Sequence, residues 1–215
     1  MAVLQVRVRQ HVNPLARKYQ IPPKPLEWEK IYSYPSQPLH LDIGCARGKF
    51  ALRMAQIETN WNFLGLEIRE PLVVNANHVR GKLGLRNLHY LFCNVNTAMQ
   101  SLLSSLPPGV LKWASIQFPD PWFKHRHAKR RILQSELVAG LGEYLAPGGV
   151  VFLQTDIHFL AKEMCSRLSA NPCLIREDGD KWLSENPLPV ATEREIATQN
   201  KGTPVYRTFF YKASC

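Results

Sequence analysis

The chain has 215 residues, a formal net charge of +10 and a sequence pI near 9.6. Its 45% hydrophobic and 20% charged residues exclude a disordered chain, provide for one packed core, and leave little room for two independent domains. The cationic excess points to a polyanionic partner, nucleic acid or an anionic membrane.

The five cysteines, Cys45, Cys93, Cys165, Cys173 and Cys215, are odd in number and contain no CxxC pair. They fit neither a disulfide framework nor a zinc knuckle. No stretch approaches the roughly 18 consecutive apolar residues of a membrane-spanning helix, and "MAVLQVRVRQ" lacks the apolar centre of a signal peptide. A reducing, cytoplasmic setting is therefore the expectation, with no membrane contact.

Residues 1–37 form a basic N-terminal arm. They carry Arg7, Arg9, Arg17, Lys18, Lys24 and Lys30, and the first acid is Glu27. Pro22, Pro23, Pro25 and Pro35 exclude a long helix, so the arm is either laid over the domain or partly disordered. Residues 38–215 read as one domain. "LHLDIG" predicts a buried strand, "KFALRMAQ" an amphipathic helix, "WNFLGLEI" a second strand and residues 71–83 a second helix. "LHYLF" predicts a third strand, residues 97–106 a short helix and "WASIQF" a fourth strand. "RILQSELVAGLGEYL" predicts a long helix stopped by "APGG", followed by the strand "VVFLQTD" and a helix over about 157–169. Past residue 171 the pattern weakens until "VYRTFFYK", a late strand at the sheet edge or paired antiparallel. Strand–helix alternation with short links predicts an α/β fold, a mostly parallel sheet with helices on both faces.

In such folds ligands bind at the carboxyl ends of the strands. The first strand runs into "LDIGCARG", where Gly44 and Gly48 allow a tight turn and close approach. Glu67 ends the second strand, a usual place for an acid that takes ribose hydroxyls. The GxxxG spacing is not the GxGxxG of dinucleotide sites. Asp42, just before the turn, would repel a pyrophosphate but attract a cation. S-adenosylmethionine, with its ammonium and sulfonium, fits two such acids better than NAD.

"QFPDPWF" leaves the fourth strand on the same rim. Pro119 and Pro121 restrict the backbone around Asp120, Trp122 and Phe123 can stack on an extruded base, and Lys124 to Arg131 supply a phosphate track. His125 and His127 face phosphate or solvent. His11, His40, His78, His89 and His158 show no metal-ligand spacing, and no metal is expected.

The chain resembles the tRNA (guanine-N(7)-)-methyltransferases, the TrmB family of the class I methyltransferase fold. The resemblance covers nearly all of residues 38–211 and rests on "LDIGCARGKF", "GLEIR", "NLHYLFCN", "FPDPWFKHRHAKRR", "QTD" and "TEREIATQNKGTPVYRTFFY". It implies a Rossmann-like domain that moves a methyl group from S-adenosylmethionine to nitrogen 7 of a guanosine in tRNA, in the variable loop, forming 7-methylguanosine. The partner implied is tRNA, met by a monomer or homodimer.

The resemblance also implies roles for particular residues. Asp42 contacts the methionine end of the cofactor, Glu67 its ribose, and Asn94 lies near its adenine; Gly44 also binds the cofactor. Asp120 is the acid of the active site, at the meeting of cofactor and base. Lys124, Asp156 and the segment Thr192, Glu193, Arg194 and Glu195 bind substrate. Arg126, His127, Lys129, Arg130 and Arg131 touch RNA. The chain departs from the family at four positions. Asp42 is one methylene shorter than the usual glutamate. Ala46 replaces a glycine, so no positive φ is expected there. Asn94 replaces an aspartate, though its amide can still pair with an adenine edge. Phe123 replaces a proline. Guanine N7 carries a lone pair and no proton, so the displacement requires alignment rather than a general base. Competing expectations are an adenine amino-group methyltransferase, a nonenzymatic RNA-binding protein on the same fold, and an NAD-dependent oxidoreductase, which Asp42 and the glycine spacing disfavour.

Overall fold

The computed structural model describes residues 11–176, 179 and 181–214. Arg7, Arg9 and Cys215 lie outside the described residues. Seven strands form one sheet: β1 (Leu39–Ile43), β2 (Asn62–Glu67), β3 (Leu88–Phe92), β4 (Leu111–Gln117), β5 (Val150–Thr155), β6 (Leu174–Arg176) and β7 (Tyr206–Lys212). Their order is β3-β2-β1-β4-β5-β7-β6. The first five are parallel, whereas β7 runs antiparallel between β5 and β6. The late strand is thus antiparallel as expected, but interior; β6 forms that edge.

The helices are α1 (Trp28–Ile31), α2 (Lys49–Ile57), α3 (Glu70–Lys82), α4 (Val95–Leu103), α5 (Ser135–Tyr144), α6 (His158–Ser169) and α7 (Glu193–Gln199). Side chains alternate across a strand, and β1 uses this fully. Leu39, Leu41 and Ile43 join the core built with α4, α5 and α6, where Met99, Leu137, Leu141, Met164 and Leu168 are almost wholly buried. His40 faces the other side, against Phe50 of α2, where α2 and α3 pack Phe50, Met54 and Val73 on Phe63 and Tyr90. Both faces of the sheet are covered, which is why the parallel strands read as apolar runs.

The long helix expected from Arg131 begins only at Ser135. A separate 3-10 helix spans His125–Arg130, and Arg131 after it is extended. The extended link lets Leu133 drop into the core at 1% exposure. The helix that follows β3 starts at Val95, two residues earlier than expected, because Asn94 caps it by accepting from the Asn96 amide at 3.2 Å. Cys173 is disulfide-bonded, a departure from the thiol-only expectation, whereas Cys45, Cys93 and Cys165 are free and buried. Among the described residues no helix is long and apolar enough to cross a membrane.

Candidate active site

The strand order reverses between β1 and β4, and a cleft of about 810 Å³ opens there at the carboxyl ends of the strands. The turn after β1 forms its floor. Gly44 and Gly48 sit at φ +79° and +72°, and Ala46 at +50°. The expectation that Ala46 avoids positive φ is therefore corrected: left-handed residues alternate through the turn at 44, 46 and 48, and the middle one is not a glycine. Gly48 also lies under the Tyr90 ring, whose hydroxyl donates to the Gly48 carbonyl at 2.6 Å.

Two buried acids line the cleft. Asp42 is 4% exposed, and burial pushes its carboxyl from 3.8 up to about 7, with Glu67 adding repulsion and the Ser115 and Gln117 hydrogen bonds opposing. These hydrogen-bond partners are neutral: Ser115 Oγ donates to Oδ1 at 3.1 Å. Glu67, also 4% exposed, is gripped by Arg69. The Arg69 amide and Nε donate to Oε1 at 2.9 and 3.0 Å, and Nη2 to Oε2 at 2.8 Å. Asn94 lines the cleft, with its Nδ2 donating to the Pro14 carbonyl at 3.2 Å.

The loop after β4 is held at both ends by left-handed residues, Phe118 at φ +49° and Trp122 at +43°. Strain of this kind persists where surrounding contacts enforce it. Arg131 is that enforcement. It donates to the carbonyls of Pro121 at 2.9 Å and Trp122 at 3.1 Å, and its guanidinium pairs with Glu163 of α6. With its side chain only 11% exposed, Arg131 points inward and is not part of the surface strip it was expected to join. Lys124, Arg126 and Lys129 are exposed, and His127 is half-buried with its ring edge-on to Trp122. Arg130 lines the cleft with its guanidinium 5.0 Å from the Trp122 ring centre. Asp120 faces the cleft, where His11 Nδ1 meets Oδ2 at 2.8 Å and the His11 ring lies edge-on to Trp122.

The segment before β7 closes the far wall. Thr192 caps α7 by accepting from the Glu195 amide at 3.1 Å. Glu193 pairs with Lys49 at 2.5 Å, and Arg194 with Asp156 at 2.5 Å. Thr192, Glu193, Arg194 and Asp156 all line the cleft. Glu195 does not. It is 0% exposed and pairs with Arg207 at 2.8 Å. It also accepts from Gln154 at 3.1 Å and Asn186 at 2.8 Å. The substrate contact expected of Glu195 is corrected to an anchor for α7. Sequence reasoning missed His11, Val12 and Pro14, which line the cleft from the arm, and Arg69. Arg69 had a signal, two residues beyond Glu67 in "GLEIR"; His11 had none, standing 109 positions from Asp120.

A family model described as "Putative methyltransferase" matches residues 36–208. A tRNA (guanine-N(7)-)-methyltransferase of Trichormus variabilis is 67% identical over 209 residues, covering 97% of each chain. One from Microcystis aeruginosa is 57% identical over 206 residues, covering 96% of this chain and 98% of its own. The chain belongs to the tRNA (guanine-N(7)-)-methyltransferase family. Its fold is that of class I methyltransferases. A 16S rRNA (adenine(1408)-N(1))-methyltransferase from Catenulisporales acidiphilia superposes with a TM-score of 0.59 at 17% identity, covering 87% of this chain and 91% of its own. The aminoglycoside resistance methyltransferase NpmB1 gives 0.56 at 18%, covering 87% and 94%.

Proposed function

We propose that the protein methylates nitrogen 7 of a guanosine in tRNA, using S-adenosylmethionine, and that the guanosine lies in the variable loop, as the family resemblance implies. One observation carries the reading. Asp42 and Glu67, the two buried acids that line the cleft, share it with Asp120, and that cleft opens onto the cationic 124–130 strip.

The cleft fits the cofactor by its donor chemistry. Asp42 is buried beside the neutral Ser115 and Gln117, so it would hold a cationic ammonium. Glu67 would hold ribose hydroxyls once Arg69 yields part of its grip, and Asn94 stands on the adenine side. S-adenosylmethionine, when bound, supplies a methyl group activated as a sulfonium substituent.

The remaining work is done by the chain. Trp122, fixed by Arg131, offers a ring for the guanine to stack on. Asp120 accepts hydrogen bonds from the guanine N–H edge and offsets the positive charge that the ring gains on methylation. No residue has to remove a proton from N7, so Asp120 orients and stabilises rather than acting as a base. Alignment of this kind can lower a barrier by roughly 7–11 kcal/mol. Lys124, Arg126, Lys129 and Arg130 draw in the phosphate backbone. His11, Val12 and Pro14 act as a cover for the cleft, and His11 gives up Asp120 when a base enters. A cytoplasmic location goes with this reading.

The test is to incubate the protein with methyl-labelled S-adenosylmethionine and unmodified tRNA and to map the labelled base. Label at N7 of a variable-loop guanosine is expected. Label on an adenine amino group, or none, refutes the reading.

A further inference from the structure

Asp42 is the cleft-lining end of a buried chain of polar groups. Alternation along β1 puts His40 and Asp42 on one face, and the parallel register sets Ser115 of β4 beside Asp42. Ser115 Oγ donates to Asp42 Oδ1 at 3.1 Å, and His40 Nε2 lies 3.0 Å from the same Oγ. His40 and Ser115 are 2% and 0% exposed. The imidazole is walled by Phe50, Phe63 and Trp113, with ring centres 5.8, 5.5 and 5.8 Å away.

A hydroxyl has one proton to give. With that proton directed to the Asp42 carboxylate, Ser115 Oγ acts as acceptor toward its other neighbours, Gln117 Nε2 at 3.5 Å and His40 Nε2, so the neutral imidazole carries its hydrogen on Nε2. The donors then run one way, from His40 through Ser115 to Oδ1. Asp42 itself lines the cleft, and Gln117 is the second hydrogen-bond partner of its carboxyl.

We propose that His40 and Ser115 are positioning residues whose directed hydrogen bonds hold Asp42 ionised and aimed at the cationic methionine end of S-adenosylmethionine, and that the direction reverses when Asp42 takes a proton. In the reversed state Asp42 Oδ1–H donates to Ser115, Ser115 donates to His40 Nε2, and the imidazole hydrogen sits on Nδ1. The site has then gained one proton from solvent. The proposal rests on the cofactor reading above.

The surrounding groups leave Asp42 as the one that changes near neutrality. Burial pushes the thiols of Cys45 and Cys93 and the hydroxyl of Tyr90 up, so they stay protonated. His40 is pushed down to about 3 by burial and stays neutral. Glu67 ends the neighbouring strand β2 with Arg69 bound to it. Ser115 lowers the Asp42 value, so its removal raises that value further above about 7.

The experiment measures S-adenosylmethionine affinity by calorimetry between about pH 5.5 and about pH 8.5. It compares the wild type with Ser115→Val, Ser115→Thr, His40→Gln and His40→Leu, with a melting curve for each. Imidazole ¹⁵N shifts of the ligand-free wild type report the His40 tautomer over the same range. Wild-type affinity is expected to rise with pH through about 7, the value at which Asp42 ionises. Ser115→Val should weaken binding roughly tenfold or more at neutral pH, as expected for a lost hydrogen bond to a charged group, and move the pH midpoint upward. Ser115→Thr and His40→Gln keep a hydroxyl and an N–H and should bind close to wild type, unlike His40→Leu. His40 should cross from the Nε2–H to the Nδ1–H tautomer as pH falls. Unchanged binding and pH profile in Ser115→Val, or a single tautomer throughout, overturns the relay. Absence of S-adenosylmethionine binding to the wild type at every pH overturns the cofactor reading and the aim assigned to Asp42 together. The tautomer measurement on the wild type stands even if a variant fails to fold.

Discussion

Asp42→Asn should make the ligand-free protein more stable and the cofactor site worse. Burial raises the folded-state value of Asp42 from 3.8 to about 7. The folded protein therefore keeps a proton that the unfolded chain has lost, and stability falls as pH rises from about 4 to about 7. Above about 7 the full cost is present. About three units at about 1.4 kcal/mol each give about 4 kcal/mol as an upper figure, and about 2 kcal/mol after allowing for relaxation in a real interior. Asn carries no charge to desolvate and can still accept the Ser115 hydroxyl through Oδ1. At about 2–4 °C per kcal/mol for a chain of this size, the variant should melt at least about 4 °C above wild type at pH 8. The gap should nearly close at pH 4, where the wild-type carboxyl is protonated when folded and roughly half so when unfolded. Calorimetric melts from pH 4 to pH 8, with and without S-adenosylmethionine, make the measurement. The cofactor should raise the wild-type melting temperature and barely move that of the variant. An Asp42→Asn protein that melts at or below wild type at pH 8 refutes the reasoning, because the buried carboxylate would then carry no penalty for the cofactor to offset.

Asp120→Asn should leave the melting temperature within a few degrees of wild type, because Asp120 sits on the cleft rim, and should lower turnover by roughly 10²-fold or more; a wild-type rate in single-turnover assays contradicts the role assigned. Arg130→Ala and Arg131→Ala should separate cleanly. The first should lower the log–log salt slope of tRNA binding by about one unit for each phosphate left unneutralised, with stability unchanged. The second should cost about 2 kcal/mol or more of stability by freeing the Trp122 loop from Glu163; matched melting curves for the two variants would erase the distinction. Glu195→Ala should destabilise by about 3–5 kcal/mol, since it leaves Arg207 charged and buried at 3% exposure. A melt close to wild type would restore Glu195 to the substrate side.

Much of this protein is written locally. Largely apolar strands five to seven residues long, separated by helical periodicity and turn glycines, are enough for a parallel sheet with helices on both faces. They also place Asp42, Glu67 and Asp120 at or just beyond strand ends, where a parallel sheet puts its ligands. The motifs around those acids carry the family resemblance, and the family followed from it. The tertiary structure decided which like residues do unlike work. Arg130 and Arg131 are neighbours of the same type, yet one lines the cleft and the other turns inward to Glu163. Glu193 and Glu195 share one helix, but only Glu195 meets the buried Arg207. Glu67 reads as a free ribose acid until Arg69 folds back on it. The alliance of Asp42 with Ser115, 73 positions away, exists only because β4 lies beside β1 in one register. Periodicity is set by contacts within a turn of helix or a pair of strand residues, so the chain displays it directly. Ion pairs and cross-strand partners depend on the order in which distant strands assemble, and no short stretch of sequence contains that order.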